Sequence, residues 1–129
     1  MPPYDDRLFS PPAALVRATA RNPQTGHAQP DVPMLIDSGA DISLLPMSVA
    51  VSLQTERTGA KYELVAFDGT KSQADAVFAE LVLLKRAFKG QFLLIDQQVG
   101  VLGRDILNHI CIVLDGPRLQ WHEQTSDIA

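Results

Sequence analysis

The sequence has one cysteine, few basic residues and no long apolar run, and each scarcity argues against a class of protein. Cys111 is alone, so a disulfide within the chain is impossible, which favours a reducing compartment. The formal net charge is −4, and the densest basic cluster is Lys85-Arg86 with Lys89 nearby. This balance argues against a nucleic-acid-binding protein, and we expect the cluster to be a solvated turn.

Membrane-spanning and targeting segments are missing as well. No uninterrupted apolar segment reaches the roughly 18 residues that suggest a membrane-spanning helix. The start, MPPYDDRLFSPP, has neither the basic first residues nor the apolar stretch of a signal peptide. We therefore expect a cytoplasmic protein that does not bind a membrane.

Common metal and nucleotide motifs are also absent from the sequence. The histidines at 27, 109 and 122 lack the HExxH spacing, and His109 with Cys111 has no further ligands for zinc. The acids at 37 and 41 do not match a calcium loop, and no glycine-rich phosphate loop is present. Cys111 is expected to be a small buried residue in an apolar strand. We therefore expect neither a metal nor a cofactor.

The chain does contain enough apolar residues for one core. Hydrophobic residues make up 46% of the 129 residues, which predicts a single folded domain. Residues 1–12 contain four prolines and are expected to form an arm. Residues 13–123 are expected to form the domain, and residues 124–129 a flexible tail.

Many short apolar segments between turn residues predict a mainly-β barrel or sandwich with one or two short helices. Strands are expected near 13–20, 34–36, 61–67, 77–84 and 91–96, a final hairpin at 110–123, and short helices at 47–53 and 103–109. Pro30 and Pro33 make residues 28–33 at best an edge strand. Asp68-Gly69 is the strongest hairpin signal. The pattern G-x-D-I occurs at 39–42 and at 103–106, which hints at two similar halves folded back on each other.

The segment MLIDSGADISLLP, residues 34–46, places an acid directly after a short apolar strand. Asp, Ser and Gly all form turns, so an ordinary turn is one interpretation. The other is chemical, because a carboxylate at a strand end can activate water, although a lone exposed one is a weak base. Two carboxylates about 3 Å apart cannot both ionise, so such a pair can deprotonate water and protonate a carbonyl oxygen. Ser38 would orient Asp37, and Gly39 would donate a backbone N–H to it.

LIDSGADISLLP resembles the active-site signature of the retroviral-type aspartic proteases, the retropepsins. VGVLGRDIL, residues 99–107, resembles the second signature of that family, in which apolar residues precede Gly-Arg-Asp and a short helix. The Asp-Gly hairpin falls between the two, where the family has its flap. The resemblance covers roughly residues 13–123. It implies a closed-barrel fold with one lobe per chain, and an aspartic endopeptidase that hydrolyses peptide bonds.

The resemblance also implies a role for each matched residue. Asp37 would be the catalytic acid, Ser38 would bond across to a partner subunit, and Gly39 would contact the substrate backbone. Asp41 would bind the substrate backbone and pair with Arg104, although that pair has an equal interpretation as an anchor for the helix. Further substrate contacts would come from Phe67, Asp68 and Gly69 in the flap and from Val99 and Val101, with support from Ala40, Gly103, Arg104 and Asp105. Core packing is the alternative for Phe67, Val99 and Val101.

Only one DSG is present, whereas a pair that shares a proton needs two aspartates. The resemblance therefore implies a C2 homodimer with the active site on its axis and an extended peptide or protein as substrate. Interface candidates are the strand near 13–20 and the hairpin at 110–123, including Leu119 and Trp121, with core packing as the alternative. Two other interpretations stay open: a catalytically silent dimerisation or peptide-binding module of the same fold, and an unrelated β domain in which DSG is only a turn.

Overall fold

The computed structural model describes residues 2–66 and 68–124, which form nine strands, two short α-helices and a 3₁₀ turn. In chain order these are β1 (Leu15–Arg21), β2 (Ala28–Ile36), β3 (Leu44–Pro46), α1 (Met47–Ser52), β4 (Arg57–Val65), β5 (Lys71–Leu83), β6 (Arg86–Ile95), β7 (Gly100–Leu102), α2 (Arg104–Leu107), β8 (Ile112–Asp115), the 3₁₀ turn Gly116–Arg118, and β9 (Gln120–Glu123).

Six of these strands close into a barrel. Neighbours follow the order β1-β2-β7-β3-β6-β5, and β1 pairs with β5 to complete the ring, while β4 pairs with β5 outside it. Closure satisfies the backbone groups that an open sheet leaves at its edges. The predicted closed-barrel, mainly-β fold with two short helices is confirmed.

Apolar side chains of the strands fill the barrel. Met34, Leu45, Leu81 and Leu102 are fully buried and come from four different strands. Leu53, which follows α1, is also fully buried and closes part of the same core. Because these side chains alternate with outward-facing ones, the strand period of two residues sets which side chains enter the core.

The strand β2 is longer than the segment 34–36 and includes both Pro30 and Pro33. Its pairing with β7 covers only Met34–Ile36, so within the described chain residues 28–33 have β1 as their one strand neighbour, which agrees with the predicted edge strand. Its register with β1 shifts between Ala18 and Ala20, and Asp31 opposite has a φ of 57°. Pro30 lies in this bulge, where its missing N–H does not interrupt the hydrogen-bond ladder.

Two hairpins form the side of the barrel that carries β4, β5 and β6. The β4–β5 connection contains Gly69, whose φ of 86° suits glycine, and the Ala66 N–H donates to the Thr70 carbonyl at 2.9 Å. The β5–β6 connection is the expected basic turn, with Leu84 and Lys85 both at positive φ. Both strands β4 and β6 begin several residues earlier than the sequence indicated, because β5 pairs with them along most of its length.

A small second sheet covers one end of the barrel. It consists of β8 and β9, and the N-terminal arm joins the free side of β9 through a bridge between Pro3 and Gln120. The Tyr4 N–H donates to the Leu119 carbonyl at 2.8 Å. Trp121 is only 3% exposed, and its Nε1 donates to the Leu15 carbonyl at 2.9 Å. This buried indole fixes the small sheet to the barrel.

The two helices are short. α1 follows Pro46, as predicted, and packs Val49 and Ala50 into the core. α2 is a single turn that buries Ile106. None of the helices in residues 2–66 and 68–124 is long and apolar enough to cross a membrane.

Candidate active site

Asp37 lies at the shared end of two parallel strands. β2 and β7 pair in parallel with Ile36 opposite Leu102, so both strands end at the same edge. The Asp37 N–H donates to the Leu102 carbonyl at 3.1 Å, which extends this pairing by one residue. Leu102 of the second signature therefore fixes the backbone of Asp37, whose side chain is partly exposed.

The residues after Asp37 form a tight turn around its carboxylate. The Gly39 N–H donates to Asp37 Oδ1 at 2.9 Å, and the Ala40 N–H donates to the Asp37 carbonyl at 3.2 Å. A Cβ on Gly39 would lie only 3.1 Å from Asp37 Oδ1, so this approach suits glycine. The turn and the chemical interpretations of DSG are thus compatible, since the turn itself orients the carboxylate.

Arg104 of the second signature holds this turn in place through two hydrogen bonds. The Arg104 N–H donates to the Ala40 carbonyl at 2.8 Å, and the Arg104 guanidinium donates through Nη1 to the Ser38 carbonyl at 2.8 Å. The two G-x-D-I segments are therefore in direct contact, as the sequence echo suggested. Gly103 is needed for this contact, because a Cβ there would lie 2.7 Å from the backbone of Ile42.

The expected ion pair between Asp41 and Arg104 is not formed. Asp41 is exposed, and no nitrogen of Arg104 lies within 4.0 Å of its carboxylate in the described chain. The guanidinium instead reaches the Ser38 carbonyl, which leaves the Asp41 carboxylate free to face the cleft. The pairing prediction is wrong.

Asp105 anchors the short helix in place of Asp41. Its Oδ1 accepts a hydrogen bond from the Ser43 hydroxyl at 2.7 Å, and its Oδ2 accepts one from the Ser43 N–H at 3.1 Å. The same hydroxyl oxygen accepts from the Gly103 N–H at 3.0 Å. Ser43 and Gly103 are buried, so these bonds satisfy the Ser43 hydroxyl and the Gly103 N–H away from water, whereas Asp105 itself is exposed. Sequence reasoning missed Ser43, although a single hydroxyl residue in an apolar segment was a signal for it.

A cleft of about 520 Å³ separates the DSG turn from the β4–β5 hairpin. Its floor contains Gly39, Ala40 and Asp41. The residues that line the rest are Ile42 and Leu44 next to the turn, and Glu63, Leu64, Val65, Ala66, Thr70 and Ser72 of the hairpin. Two of the residues implied as substrate contacts, Gly39 and Asp41, therefore line the same cleft as residues of strands β4 and β5.

The hairpin tip carries Asp68 and Gly69, both exposed and outside the lining of this cleft. The Thr70 N–H donates to Asp68 Oδ1 at 2.8 Å. Hydrogen bonds from the Thr70 side chain and backbone lower the pKa of Asp68 below its ordinary value of 3.8. Phe67, the other flap residue implied as a substrate contact, lies outside the described residues.

Val99 and Val101 line a second cavity, of about 380 Å³, instead of the cleft under the hairpin. Leu35 and Ile95 of the barrel lie beside them. The N-terminal arm supplies Leu8 and Phe9 to the same cavity, and no sequence pattern indicates this contact. This second cavity and the cleft under the hairpin are therefore separate, and both lie near the ends of β2 and β7.

The candidate interface residues differ in their exposure. Trp121 belongs to the core, and the strand near 13–20 has neighbours on both sides, so neither offers a free surface. Leu119 is 47% exposed and remains available for contact.

Cys111 is exposed, which corrects the expectation of a buried strand residue, because it lies in the loop before β8.

Neither a protein-family model nor a curated protein matches this sequence. Solved structures do match it. One is the EIAV protease complexed with the inhibitor HBY-793, with a TM-score of 0.57 and 25% identity, covering 75% of this chain and 86% of that chain. Another is the solution structure of the Simian Foamy Virus (mac) protease, with a TM-score of 0.51 and 18% identity, covering 74% of this chain and 92% of that one.

The chain therefore has a retropepsin-like fold, and the resemblance read from its two signatures is confirmed at the level of the fold. Its structural neighbours are proteases. The interpretation of the chain as an unrelated β domain is wrong, because the barrel and its structural neighbours share the retropepsin-like fold.

Proposed function

We propose that this chain is one half of a homodimeric aspartic endopeptidase in which two copies of Asp37 form the catalytic pair. The observation that carries the proposal is the position of Asp37, fixed by β7 at the edge of a cleft that a hairpin covers, in a retropepsin-like fold. Its carboxylate accepts from Gly39, the one hydrogen bond that it receives from the described residues. The rest of its surface is available to water, substrate or another carboxylate.

One chain supplies one Asp37, so the pair requires a second copy. A two-fold axis beside Asp37 would bring the two carboxylates together and would double the cleft. The small sheet offers a surface for this contact. Within the described chain β8 pairs only with β9, so its other edge is open, and Leu114 and Leu119 are 53% and 47% exposed. Both an open strand edge and exposed leucines favour association.

The chemistry follows from two carboxylates that share one proton. Held about 3 Å apart, both cannot be ionised, so one is charged and the other protonated. The charged carboxylate takes a proton from water as the water oxygen attacks the scissile carbonyl carbon, and the protonated one gives its proton to the carbonyl oxygen. The tetrahedral intermediate then collapses as the carboxyl that took the proton from water gives it to the amide nitrogen and the C–N bond breaks. The other carboxylate takes a proton from a hydroxyl of the intermediate, which restores the starting pair. No covalent bond to the protein forms at any stage.

The substrate would be a peptide in an extended conformation. The cleft lies between the DSG turn and the exposed flap strand β4, so a peptide there can pair its backbone with neighbouring strands. Asp41 lines the same cleft and has no ion-pair partner among residues 2–66 and 68–124, so its carboxylate can accept a backbone N–H from the peptide.

The test is cleavage of a peptide library by the purified protein and by Asp37→Asn, from acidic to near-neutral pH. The asparagine keeps the size of the side chain and its amide oxygen can accept from Gly39, so the turn should persist while cleavage falls to background. Asp31→Asn is the matched control, because Asp31 is exposed in the β2 bulge at positive φ, which asparagine also tolerates.

Two outcomes contradict the proposal. Cleavage that persists undiminished in Asp37→Asn would show that another residue does the chemistry. A wild-type protein that dimerises and binds peptides but turns over none of them across this pH range would favour the silent peptide-binding module.

A further inference from the structure

Strand β6 has a free edge over its first half. On one side residues 86–93 pair with β5, whereas on the other side β3 pairs only with residues 93–95. Among residues 2–66 and 68–124, no strand therefore lies beyond β6 at residues 87–91. In an antiparallel pair, every second residue directs its backbone N–H and C=O away from the partner strand. This free edge, residues 87–91, thus presents backbone groups that no other strand of the described chain satisfies.

The free edge faces a groove of about 370 Å³, which we call the β6–α2 groove. One wall consists of residues 87–92, and the opposite wall consists of Asp105 and Ile106 of α2 and of His109, which follows that helix. Phe92 and Ile106 are buried, so they add apolar surface to this lining. Because α2 stands opposite the edge, the groove has room for a single extended segment. The edge of a second copy would carry its own α2 beside it, and the two helices would collide.

One end of the groove carries an acidic side chain. The Asp105 carboxylate accepts a hydrogen bond from the Ser43 hydroxyl, and Ser43 adjoins Leu44, which pairs with Leu93 just beyond the free edge. Asp105 therefore lies next to the C-terminal end of that edge. It has no ion-pair partner within the described part of the chain, so its negative charge is available to a basic side chain.

The opposite end of the groove is basic. The Arg86 guanidinium donates through Nη1 to the His109 carbonyl, an uncharged acceptor that leaves its positive charge in place. Lys89 of the free edge is 69% exposed and lies 3.7 Å from Glu80, a carboxylate that it shares with Arg21. Two cations around one carboxylate leave a net positive charge. This end of the groove is therefore complementary to an acidic side chain.

We propose that the β6–α2 groove binds an extended segment of a partner protein, which pairs with β6 as an added strand. The segment carries an acidic residue toward Arg86 and Lys89 and a basic residue toward Asp105. Unpaired backbone groups at a strand edge are best satisfied by the backbone of another extended chain. The site is distinct from the proposed active site, since neither Asp37 nor the cleft under the hairpin contributes to its lining.

The free edge of β2 shows what an edge closed to partners looks like. Residues 28–33 contain Pro30, Pro33 and the bulge at Asp31, and each of these features hinders the addition of a strand. The free edge of β6 has neither a proline nor a shift in register. Lys89 is the one feature there that can discourage pairing with another sheet. An acidic residue in the partner segment converts that obstacle into a contact.

The experiment titrates the ¹⁵N-labelled protein with two capped hexapeptides, EVTVTK and KVTVTE, which place the opposite charges in either direction along the groove. A third peptide has the sequence of the tighter binder with alternate backbone nitrogens methylated, so it keeps the side chains and loses the strand-pairing N–H groups. We expect one hexapeptide to shift the amide resonances of residues 87–91. The methylated peptide should leave these resonances unchanged.

The charge complementarity is tested with Lys89→Glu, which should raise the Kd of the hexapeptide about five- to tenfold. Lys71→Glu is the matched control, because Lys71 is 68% exposed and lies 3.6 Å from Glu63 but is outside this groove. It should leave the Kd unchanged. If Lys89→Glu does not fold, Lys89→Gln removes the charge alone and should still raise the Kd about threefold.

Three results would overturn the proposal. The first is the absence of any shift at residues 87–91 with either hexapeptide, including shifts confined to residues 39–42 of the cleft. The second is equal binding of the methylated peptide, which would exclude strand addition. The third is an equal Kd for the Lys89 and Lys71 variants, which would leave Lys89 as a residue that only protects the edge.

Discussion

Ser43 is one of the residues that join the two signatures of this chain. Its hydroxyl donates to Asp105 and accepts from Gly103, and it has no contact with water. In Ser43→Ala the carboxylate and the Gly103 N–H both lose a buried partner. We expect the free energy of unfolding to fall by about 1–3 kcal/mol, measured by urea denaturation.

The matched control for this prediction is Ser48→Ala. Ser48 is exposed on α1, so its change should stay within about 0.5 kcal/mol. Equal stability of the two variants would show that the Ser43–Asp105 hydrogen bonds contribute little to joining the signatures.

Gly103 tests the close approach of the two G-x-D-I segments. An alanine Cβ there would lie 2.7 Å from the carbonyl carbon and oxygen of Ile42, and backbone atoms cannot move aside as a flexible side chain can. We expect Gly103→Ala to cost about 1–3 kcal/mol in the free energy of unfolding. Asp37 should also lose its fixed position, because Gly103 directly follows the residue that holds its backbone.

Gly90→Ala is the control for that substitution. Gly90 lies within β6 opposite Ala79, and a Cβ there would meet no atom within 4 Å. Because glycine weakens a strand by about 0.5–1 kcal/mol relative to alanine, this variant should be neutral or more stable. Destabilisation of both variants to the same extent would argue against a steric role specific to Gly103.

At the scale of elements, the β4–β5 hairpin has a titratable tip. Hydrogen bonds from Thr70 lower the pKa of Asp68, so the charged carboxylate stabilises the folded turn. This contribution is fully present above the ordinary pKa of 3.8, and it is lost as the pH falls through the lower folded value. The turn should therefore loosen only in strong acid.

The measurement is an NMR titration of the Thr70 amide, whose chemical shift reports the hydrogen bond to Asp68. The midpoint should lie below 3.8 in the wild type, and the transition should disappear in Asp68→Asn. A midpoint at or above 3.8 would mean that the turn does not favour the charged carboxylate.

The elements that the sequence predicted well are those with strong local signals. Asp68-Gly69 fits a hairpin because glycine accepts its positive φ, and Pro46 begins α1 because proline is tolerated in a first helical turn. The edge strand at residues 28–33 followed from Pro30 and Pro33, but the bulge at Asp31 that accommodates Pro30 did not, since no local pattern indicates it. The loop formed by residues 5–13 of the N-terminal arm was also missed. It is closed by backbone hydrogen bonds between Asp5 and Ala13, which side-chain types do not indicate.

The candidate site was only partly predictable for the same physical reason. Asp37, Gly39 and Gly103 were visible because each belongs to a short motif with its own backbone requirement. The partner of Arg104 was not, since a guanidinium can reach a carboxylate or a carbonyl, and the three-dimensional path of the turn made it the Ser38 carbonyl. Such choices depend on a folded geometry that residue types do not specify.

At the scale of the whole molecule, the barrel is closed, whereas the proposed active site requires a second copy. Within the described residues β8 of the small sheet has a free edge, beside exposed leucines. Trp121 ties that sheet to Leu15, and Leu15 pairs with Leu35 on the strand that leads to Asp37. Association of two copies through β8 would therefore affect the position of Asp37, the proposed catalytic acid.

A crystal structure of the purified protein at high concentration, with its association state checked by sedimentation in the same buffer, tests directly whether two copies of Asp37 meet. We expect a C2 dimer in which the two Asp37 carboxylates lie within hydrogen-bonding distance, about 3 Å apart. A protein that stays monomeric at the highest concentration, or a dimer whose Asp37 carboxylates lie far from each other, would contradict it.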